Sequence, residues 1–170
     1  MSISIGFVGL GTMGLPMASN LARAGFDVTG YDLSQAARDA LVAAGGAQAA
    51  SAAEAAHNAA FLVTMLPTAS HIEQALFGEN GVVGAMPPAA IVVNMSTILP
   101  DETEHIGTLL RKKHITMIDA PVGRSALEAA RGALLILASG DPAALDAAKP
   151  LFEAMGNQTI DCGGLGNGSR

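Results

Sequence analysis

Short apolar runs alternate along the chain with longer stretches in which apolar residues recur every three or four positions. Most short runs are apolar at nearly every position, which is typical of strands covered on both faces. The longer stretches have the spacing of amphipathic helices, as at Met13, Met17 and Leu21. Strands are predicted at 3–9, 27–32, 61–66, 91–96, 115–121, 133–139 and 158–162. The pattern predicts an α/β domain with a mainly parallel sheet and helices on both faces.

Capping residues mark several helix boundaries. Ser34 and Ser51 precede helical stretches, and Glu54 follows Ser51 by three residues, as in a capping box. Asp141 and Pro142 together predict another helix start. Helix ends are predicted at Gly25, Gly45 and Gly156.

Composition narrows the class of protein. A chain of 170 residues that is 50% hydrophobic and 14% charged is typical of one globular domain with a single core. The net charge of −6 and the 4% aromatic content argue against binding to nucleic acid. Cys162 is the only cysteine, which excludes an intrachain disulfide and a cysteine zinc cluster. The four histidines are scattered, so no metal site is expected.

The apolar runs are too short to span a membrane, and no basic segment precedes the first predicted strand. We therefore expect a cytoplasmic protein that does not bind membranes.

A glycine motif joins the first predicted strand to the first predicted helix. The sequence GLGTMG has the G-x-G-x-x-G spacing, which is a weak signal on its own. In dinucleotide-binding units the first glycine permits a sharp turn, the second lets the pyrophosphate approach the backbone, and the third brings helix and strand together. The context predicts a Rossmann domain over 1–162. Its expected cofactor loop comprises Gly9, Leu10, Gly11, Thr12, Met13 and Gly14.

Asp32 closes the next predicted strand, eighteen residues after Gly14. An acidic residue at this place can accept hydrogen bonds from the adenosine ribose, and its charge would repel a 2′-phosphate. The sequence therefore predicts NAD as cofactor in preference to NADP. The alternative is that Asp32 only caps the turn in YDLS.

Four segments together resemble the β-hydroxyacid dehydrogenase family: GFVGLGTMGLPMASNLARAGFDVTGYD, VTMLPTASHIEQALFGENGV (63–82), VVNMSTILP (92–100) and IDAPVGRSALEAARGALLILASGD (118–141). The resemblance implies hydride transfer between NAD(H) and a small hydroxy acid or semialdehyde. It also implies that Met65, Leu66 and Pro67 line the adenosine side of the cofactor site. Ser96 is expected near the substrate and Thr97 near the nicotinamide ribose.

The chain departs from the family at its substrate-recognition segment. The family usually has DAPVSGG, whereas this chain has Gly123, Arg124 and Ser125 after DAPV. The guanidinium of Arg124 suits the binding of an acidic group on a small substrate. The predicted substrate-binding residues are Arg124, its neighbours Gly123 and Ser125, and Ser96. The PVGRS sequence looks most like family members that act on sulfolactaldehyde, although a carboxylate stays open as the acidic group. The alternative is a surface arginine paired with Glu128.

The segment GGLGNGSR (163–170) resembles the start of the family's GxGxGxxxKxxxN pattern, in which the lysine is the acid/base. That lysine would fall two residues after Arg170, so no catalytic residue is expected within the chain. We expect this segment to be flexible and to lead into a C-terminal helical domain, with the full-length protein forming a homo-oligomer. The alternative function is a binding module that senses NAD without catalysis.

Overall fold

The computed structural model describes all 170 residues as one α/β domain. Its nine strands are β1 (Ser4–Val8), β2 (Asp27–Tyr31), β3 (Ala47–Gln48), β4 (Phe61–Thr64), β5 (Ile91–Asn94), β6 (Thr116–Asp119), β7 (Val122–Gly123), β8 (Leu134–Gly140) and β9 (Gly156–Asp161). Its seven α-helices are α1 (Gly14–Arg23), α2 (Gln35–Ala43), α3 (Ala52–Ala56), α4 (Ala69–Phe77), α5 (Pro100–Arg111), α6 (Ala126–Ala130) and α7 (Pro142–Met155).

The strands follow the order β3-β2-β1-β4-β5-β6-β8-β7, and β9 pairs with β8. All pairings from β3 to β6 are parallel, which confirms the predicted mainly parallel sheet. β8 reverses the direction and pairs antiparallel with both β6 and β7. Strands β3 and β7 were not predicted, because each has only two residues, too few for any periodic signal. β9 also begins two residues earlier than predicted.

The sheet separates two apolar cores, one on each face. The larger core is packed by α1, α2, α6 and α7, with Met17, Leu41, Ala129 and Leu151 as examples. The smaller core is packed by α3, α4 and α5. This arrangement explains why the central strands read as continuous apolar runs, since both of their faces are buried.

The predicted capping residues act at the expected helix starts. The side chains of Ser34, Ser51 and Asp141 accept hydrogen bonds from backbone N–H groups in the first turns of α2, α3 and α7. Gly25 and Gly45, just after α1 and α2, have φ values of 97° and 102°, which glycine adopts without strain.

The segment 163–170 packs against the domain, so the prediction of a flexible run is wrong. Leu165 fills the space left by the missing side chain of Gly107 on α5. The backbone N–H of Gly168 donates to Ser139 Oγ at 3.1 Å, and Gly140 N–H donates to the Gly163 carbonyl at 2.9 Å. Glycine is needed at 168 because a Cβ there would overlap the carbonyl oxygen of Leu137.

None of the helices has the length and apolar character needed to cross a membrane.

Candidate cofactor and substrate site

Two of the three motif glycines are required by the packing of the chain itself. Gly9 has a φ of 100°, and a Cβ there would overlap the carbonyl oxygen of Met65. A Cβ at Gly14 would overlap the carbonyl oxygen of Gly9, so this glycine lets α1 begin directly against the end of β1.

Gly11 differs from both, because a Cβ there would meet no protein atom within 4 Å. Nothing in the domain explains a glycine at this position. The open space beside its backbone is the space that a closely approaching ligand would need.

The backbone of the same loop offers unused hydrogen-bond donors. The N–H groups of Gly11, Thr12 and Met13 donate no hydrogen bond within the chain, and they lie at the N-terminus of the ten-residue helix α1. A helix N-terminus favours anions because its free N–H groups and its dipole both present positive charge. Together with the open side of Gly11, these donors fit a pyrophosphate.

Asp32 connects the end of β2 to the glycine loop. Its Oδ2 accepts a hydrogen bond from Leu10 N–H at 2.8 Å, and its Oδ1 accepts one from Ser34 N–H at 2.8 Å. Asp32 therefore does cap the turn after β2. Its carboxylate can accept about four hydrogen bonds, so these two bonds leave acceptor sites free. The remaining capacity is available to the hydroxyl groups of a ribose.

A cleft of about 510 Å³ opens beside Asp32. Its lining comes from the ends of β1 and β2, the segment after β4, and α4, and includes Gly9, Asp32, Leu66, Pro67, His71 and Gln74. Met65 does not line this cleft, and its carbonyl packs against Gly9 instead. The structure thus brings Asp32, Leu66 and Pro67 together with Gly9, while Leu10, Gly11, Thr12, Met13 and Gly14 lie outside the lining of this cleft.

Ser96 is buried, with an exposed fraction of 1%. Its Oγ accepts a hydrogen bond from Leu66 N–H at 2.8 Å and donates to the Thr64 carbonyl at 3.4 Å. It therefore holds the segment that lines the cleft. Thr97, the next residue, is exposed. Their contacts with substrate and nicotinamide ribose stay predictions.

A row of buried polar side chains crosses the sheet near the carboxyl ends of its strands. Thr64, Asn94, Asp119 and Ser139 are paired in register on β4, β5, β6 and β8. Thr64 Oγ1 donates to Asn94 Oδ1 at 3.0 Å, and Asn94 Nδ2 lies 3.5 Å from Asp119 Oδ1. Asn94 and Asp119 were not among the predicted site residues. The available signal was a polar residue ending each of two otherwise apolar runs, IVVN and TMID.

Asp119 links this polar row to the C-terminal segment. Ser169 Oγ donates to Asp119 Oδ2 at 2.9 Å. Burial raises the pKa of Asp119 to about 6, while the hydrogen bonds from Ser169 and Asn94 act in the opposite direction. This carboxyl group, inside the domain at the carboxyl end of β6, therefore keeps its proton to a higher pH than an ordinary aspartate does.

The predicted substrate residues lie where β7 leads into α6: Gly123 ends β7, Arg124 follows it, and Ser125 is the N-cap of α6. Arg124 does not pair with Glu128, because that carboxylate bonds to the Ser125 backbone N–H and hydroxyl. Instead, the Arg124 guanidinium donates to acceptors on the neighbouring chain segments, including Asn157 on β9. Arg124 is one of four residues other than glycine with positive φ, here 79°.

No group of three or more His, Cys, Asp or Glu side chains in the structure is arranged so that it could hold a metal ion.

Residues 4–164 match the family model for the NAD-binding domain of 6-phosphogluconate dehydrogenase. The chain is 42% identical over 167 residues to 3-sulfolactaldehyde reductase from Escherichia coli, covering 98% of this chain and 56% of that protein. It is 41% identical over 164 residues to the NAD-dependent L-serine dehydrogenase of Pseudomonas aeruginosa, covering 96% of this chain and 55% of that protein.

Among solved structures, 3-hydroxyisobutyrate dehydrogenase from Mycobacterium tuberculosis, determined with L-serine, superposes with a TM-score of 0.95 at 34% identity. This match covers 99% of the chain and 57% of the solved protein. The chain therefore spans little more than half the length of the relatives it matches.

Proposed function

Since the chain belongs to the family of the NAD-binding domain of 6-phosphogluconate dehydrogenase, we propose that it is the cofactor-binding part of an NAD-dependent oxidoreductase. The substrate class we propose is a small acid with an aldehyde or a 3-hydroxyl group. The names of the relatives support this class, because they include a sulfolactaldehyde reductase and a 2-hydroxy-3-oxopropionate reductase.

The observation that carries the proposal is that Asp32 lies beside the open glycine loop and accepts a hydrogen bond from Leu10 N–H in that loop. Gly11 and the free N–H groups of Thr12 and Met13 suit a pyrophosphate, and Asp32 lines the cleft together with Gly9 of the same loop. The Asp32 charge would repel a 2′-phosphate, which favours NAD over NADP. Leu66 and Pro67 would contact the adenosine side, with Met65 supporting Gly9 behind them.

When bound, the nicotinamide exchanges a hydride with the carbon that carries the hydroxyl or aldehyde group. In this proposal the chain holds and orients the reactants. Arg124, with Gly123 and Ser125, binds the acidic group, and Thr97 positions the nicotinamide ribose. Ser96 contributes by fixing Leu66 and by bordering the substrate.

We place the acid/base lysine outside the chain, two residues after Arg170, followed by a helical domain. The chain's own Lys112 and Lys113 are exposed between the end of α5 and the start of β6, whereas the cleft lies at the carboxyl ends of β1 and β2. The support for this position is the resemblance of segment 163–170 to the start of the family's GxGxGxxxKxxxN pattern. We expect the longer protein to form homo-oligomers.

Titration of the purified 170-residue chain with NADH and NADPH, followed by the fluorescence of the dihydronicotinamide, tests the cofactor assignment. We expect binding of NADH, weaker binding of NADPH, and negligible turnover with carboxylated or sulfonated semialdehydes. Failure to bind NADH would contradict the cofactor site. Turnover by the 170-residue chain would contradict the position of the lysine. If the protein translated from the complete natural gene binds NADH and reduces none of these aldehydes, an NAD-sensing function is favoured.

A further inference from the structure

We propose that Asn157 and Gln158 are positioning residues that hold the Arg124 guanidinium with one edge free for an acidic substrate. This inference rests on the proposed function of Arg124 and adds two residues that determine specificity. The three residues lie on different elements, since Arg124 follows β7 whereas Asn157 and Gln158 belong to β9. Their contact exists only because β8 pairs with both of these strands.

The hydrogen bonds of Arg124 define the orientation of its side chain. Nη1 donates to the Ala133 carbonyl at 2.7 Å and to Asn157 Oδ1 at 2.5 Å. Nη2 donates to Gln158 Oε1 at 3.3 Å. A long surface arginine normally samples many rotamers, and three acceptors from two directions restrict it to one.

The donors left unused form a matching pair. A guanidinium has five N–H donors, and three of them are used by Ala133, Asn157 and Gln158. The two that remain are one on Nε and one on Nη2, and these two nitrogens form one edge of the planar group. A carboxylate or a sulfonate presents two oxygens that can accept from both donors of such an edge. Asn157 and Gln158 therefore direct the binding of an oxyanion to the other side of Arg124.

The charge of Arg124 is not neutralised by this arrangement. All three of its acceptors are neutral amide oxygens, and none of the ion pairs in the domain involves Arg124. The nearest candidate along the chain, Glu128, is engaged by Ser125. An arginine held by neutral groups keeps its full attraction for an anionic ligand.

The backbone at Arg124 supports the same interpretation. Its φ of 79° lies in the left-handed region, where residues with a side chain are strained. Strained residues persist where surrounding contacts fix them, and they are frequent at ligand-binding sites. Here the contacts to Asn157, Gln158 and Ala133 supply that restraint.

The position of Arg124 in the sheet is compatible with substrate binding. β6 ends at Asp119, and β7 continues beyond it, so Arg124 lies past the carboxyl end of β6. The glycine loop follows the carboxyl end of β1, three strands away in the same sheet. Neighbouring strands lie about 4.8 Å apart, so β1 and β6 are separated by about 14 Å. The crevice of an open α/β sheet lies between the carboxyl ends of these two strands.

Steady-state kinetics of the protein translated from the complete natural gene test the inference, with a sulfonated and a carboxylated semialdehyde as substrates. The variants are Asn157→Ala, Gln158→Ala and the double variant. Thr159→Ala is the matched control, because Thr159 is the next exposed residue on β9 and makes no hydrogen bond with Arg124. We expect the double variant to raise KM for the acidic substrate roughly tenfold, while kcat and KM for NADH change by less than about twofold. Thr159→Ala should change none of these values.

The variant Arg124→Ala tests the substrate-binding role of Arg124 separately from the positioning role of Asn157 and Gln158. If Arg124→Ala leaves KM for the acidic substrate unchanged, the substrate-binding role of Arg124 is wrong. If Arg124→Ala raises KM but the double variant does not, only the positioning role of Asn157 and Gln158 is overturned.

NMR of the arginine Nε–H groups in the 170-residue chain gives a second measurement that does not depend on turnover. We expect the Arg124 signal to shift and broaden in the double variant and to stay unchanged in Thr159→Ala. An unchanged Arg124 signal in a folded double variant would overturn the inference.

Discussion

The carboxylate of Asp32 accepts a hydrogen bond from the backbone N–H of Leu10 at 2.8 Å, across the ends of two neighbouring strands. The residue expected to recognise the ribose therefore also holds the loop expected to receive the pyrophosphate. Its second oxygen bonds to Ser34 N–H, so the turn after β2 depends on the same side chain. A change at Asp32 thus affects ligand recognition and loop geometry together.

Replacing Asp32 with alanine is expected to weaken NADH binding by tenfold or more and to lower the free energy of unfolding by about 1–3 kcal/mol, because two N–H groups lose a charged acceptor. Fluorescence titration and chemical denaturation measure the two effects. Asp27→Ala, at the start of the same strand and without side-chain hydrogen bonds, is the control and should change neither. Undiminished NADH affinity in Asp32→Ala would rule out its role in the cofactor site.

Gly11→Ala is expected to separate binding from folding. A Cβ at this position meets no protein atom within 4 Å, so the free energy of unfolding should stay within about 0.5 kcal/mol of the original value. NADH affinity should fall at least tenfold, because the methyl group occupies the space beside the free N–H groups. Calorimetric or fluorescence titration measures the affinity. Normal NADH binding by this variant would contradict the proposed position of the pyrophosphate.

Gly14→Ala serves as the contrasting variant of the same motif. Its Cβ would overlap the carbonyl oxygen of Gly9 and force α1 away from β1. We expect a loss of several kcal/mol in stability, typical of overpacking against rigid backbone, measured by thermal unfolding.

Asp119 predicts a pH dependence of stability. Its pKa in the folded protein is about 6, above its ordinary value of 3.8, so folding binds a proton between these values. The resulting stabilisation is fully present below about pH 4 and is lost as the pH rises through 6. The difference in pKa corresponds to about 3 kcal/mol at most. Denaturation curves between pH 4 and 8 measure it.

Asp119→Asn removes the titrating group while keeping the shape of the side chain. The fall in stability between pH 4 and 7 should be smaller in this variant than in the original chain by up to about 3 kcal/mol. Asp101→Asn, at an exposed position on α5, is the control and should retain the original slope. Parallel slopes in Asp119→Asn and the original chain would show that another group is responsible.

Two glycines in the C-terminal segment give a test of its docking. A Cβ at Gly168 would overlap the Leu137 carbonyl oxygen, whereas a Cβ at Gly164 meets nothing within 4 Å. We expect Gly168→Ala to break the Ser169–Asp119 contact and to speed amide hydrogen exchange across 163–170 by at least tenfold. Gly164→Ala should leave the exchange rates nearly unchanged. Equal rates in both variants would contradict the observed packing.

The elements with long, repeated patterns could be predicted from the sequence. Both faces of β1, β4 and β5 are covered, so most of their residues are apolar on both faces, and the fold class follows from that run pattern. The helix starts at Ser34, Ser51 and Asp141 were also predictable, because capping depends on residues within three positions of each other. β3 and β7 were not, since pairing with a distant strand, rather than local sequence, stabilises a two-residue strand.

The features of the candidate site also fall into those that the sequence predicted and those that it did not. By itself, the sequence determined the glycine loop and the acidic residue after β2, because their spacing is fixed by one strand, one turn and one helix. Only the tertiary structure decided that Asp32 bonds to Leu10, that Asp119 lies in a polar row bonded to Ser169, and that Arg124 is held by β9. These contacts join residues 22, 50 and 33 positions apart, respectively. Their geometry comes from strand order and packing, which no local pattern encodes.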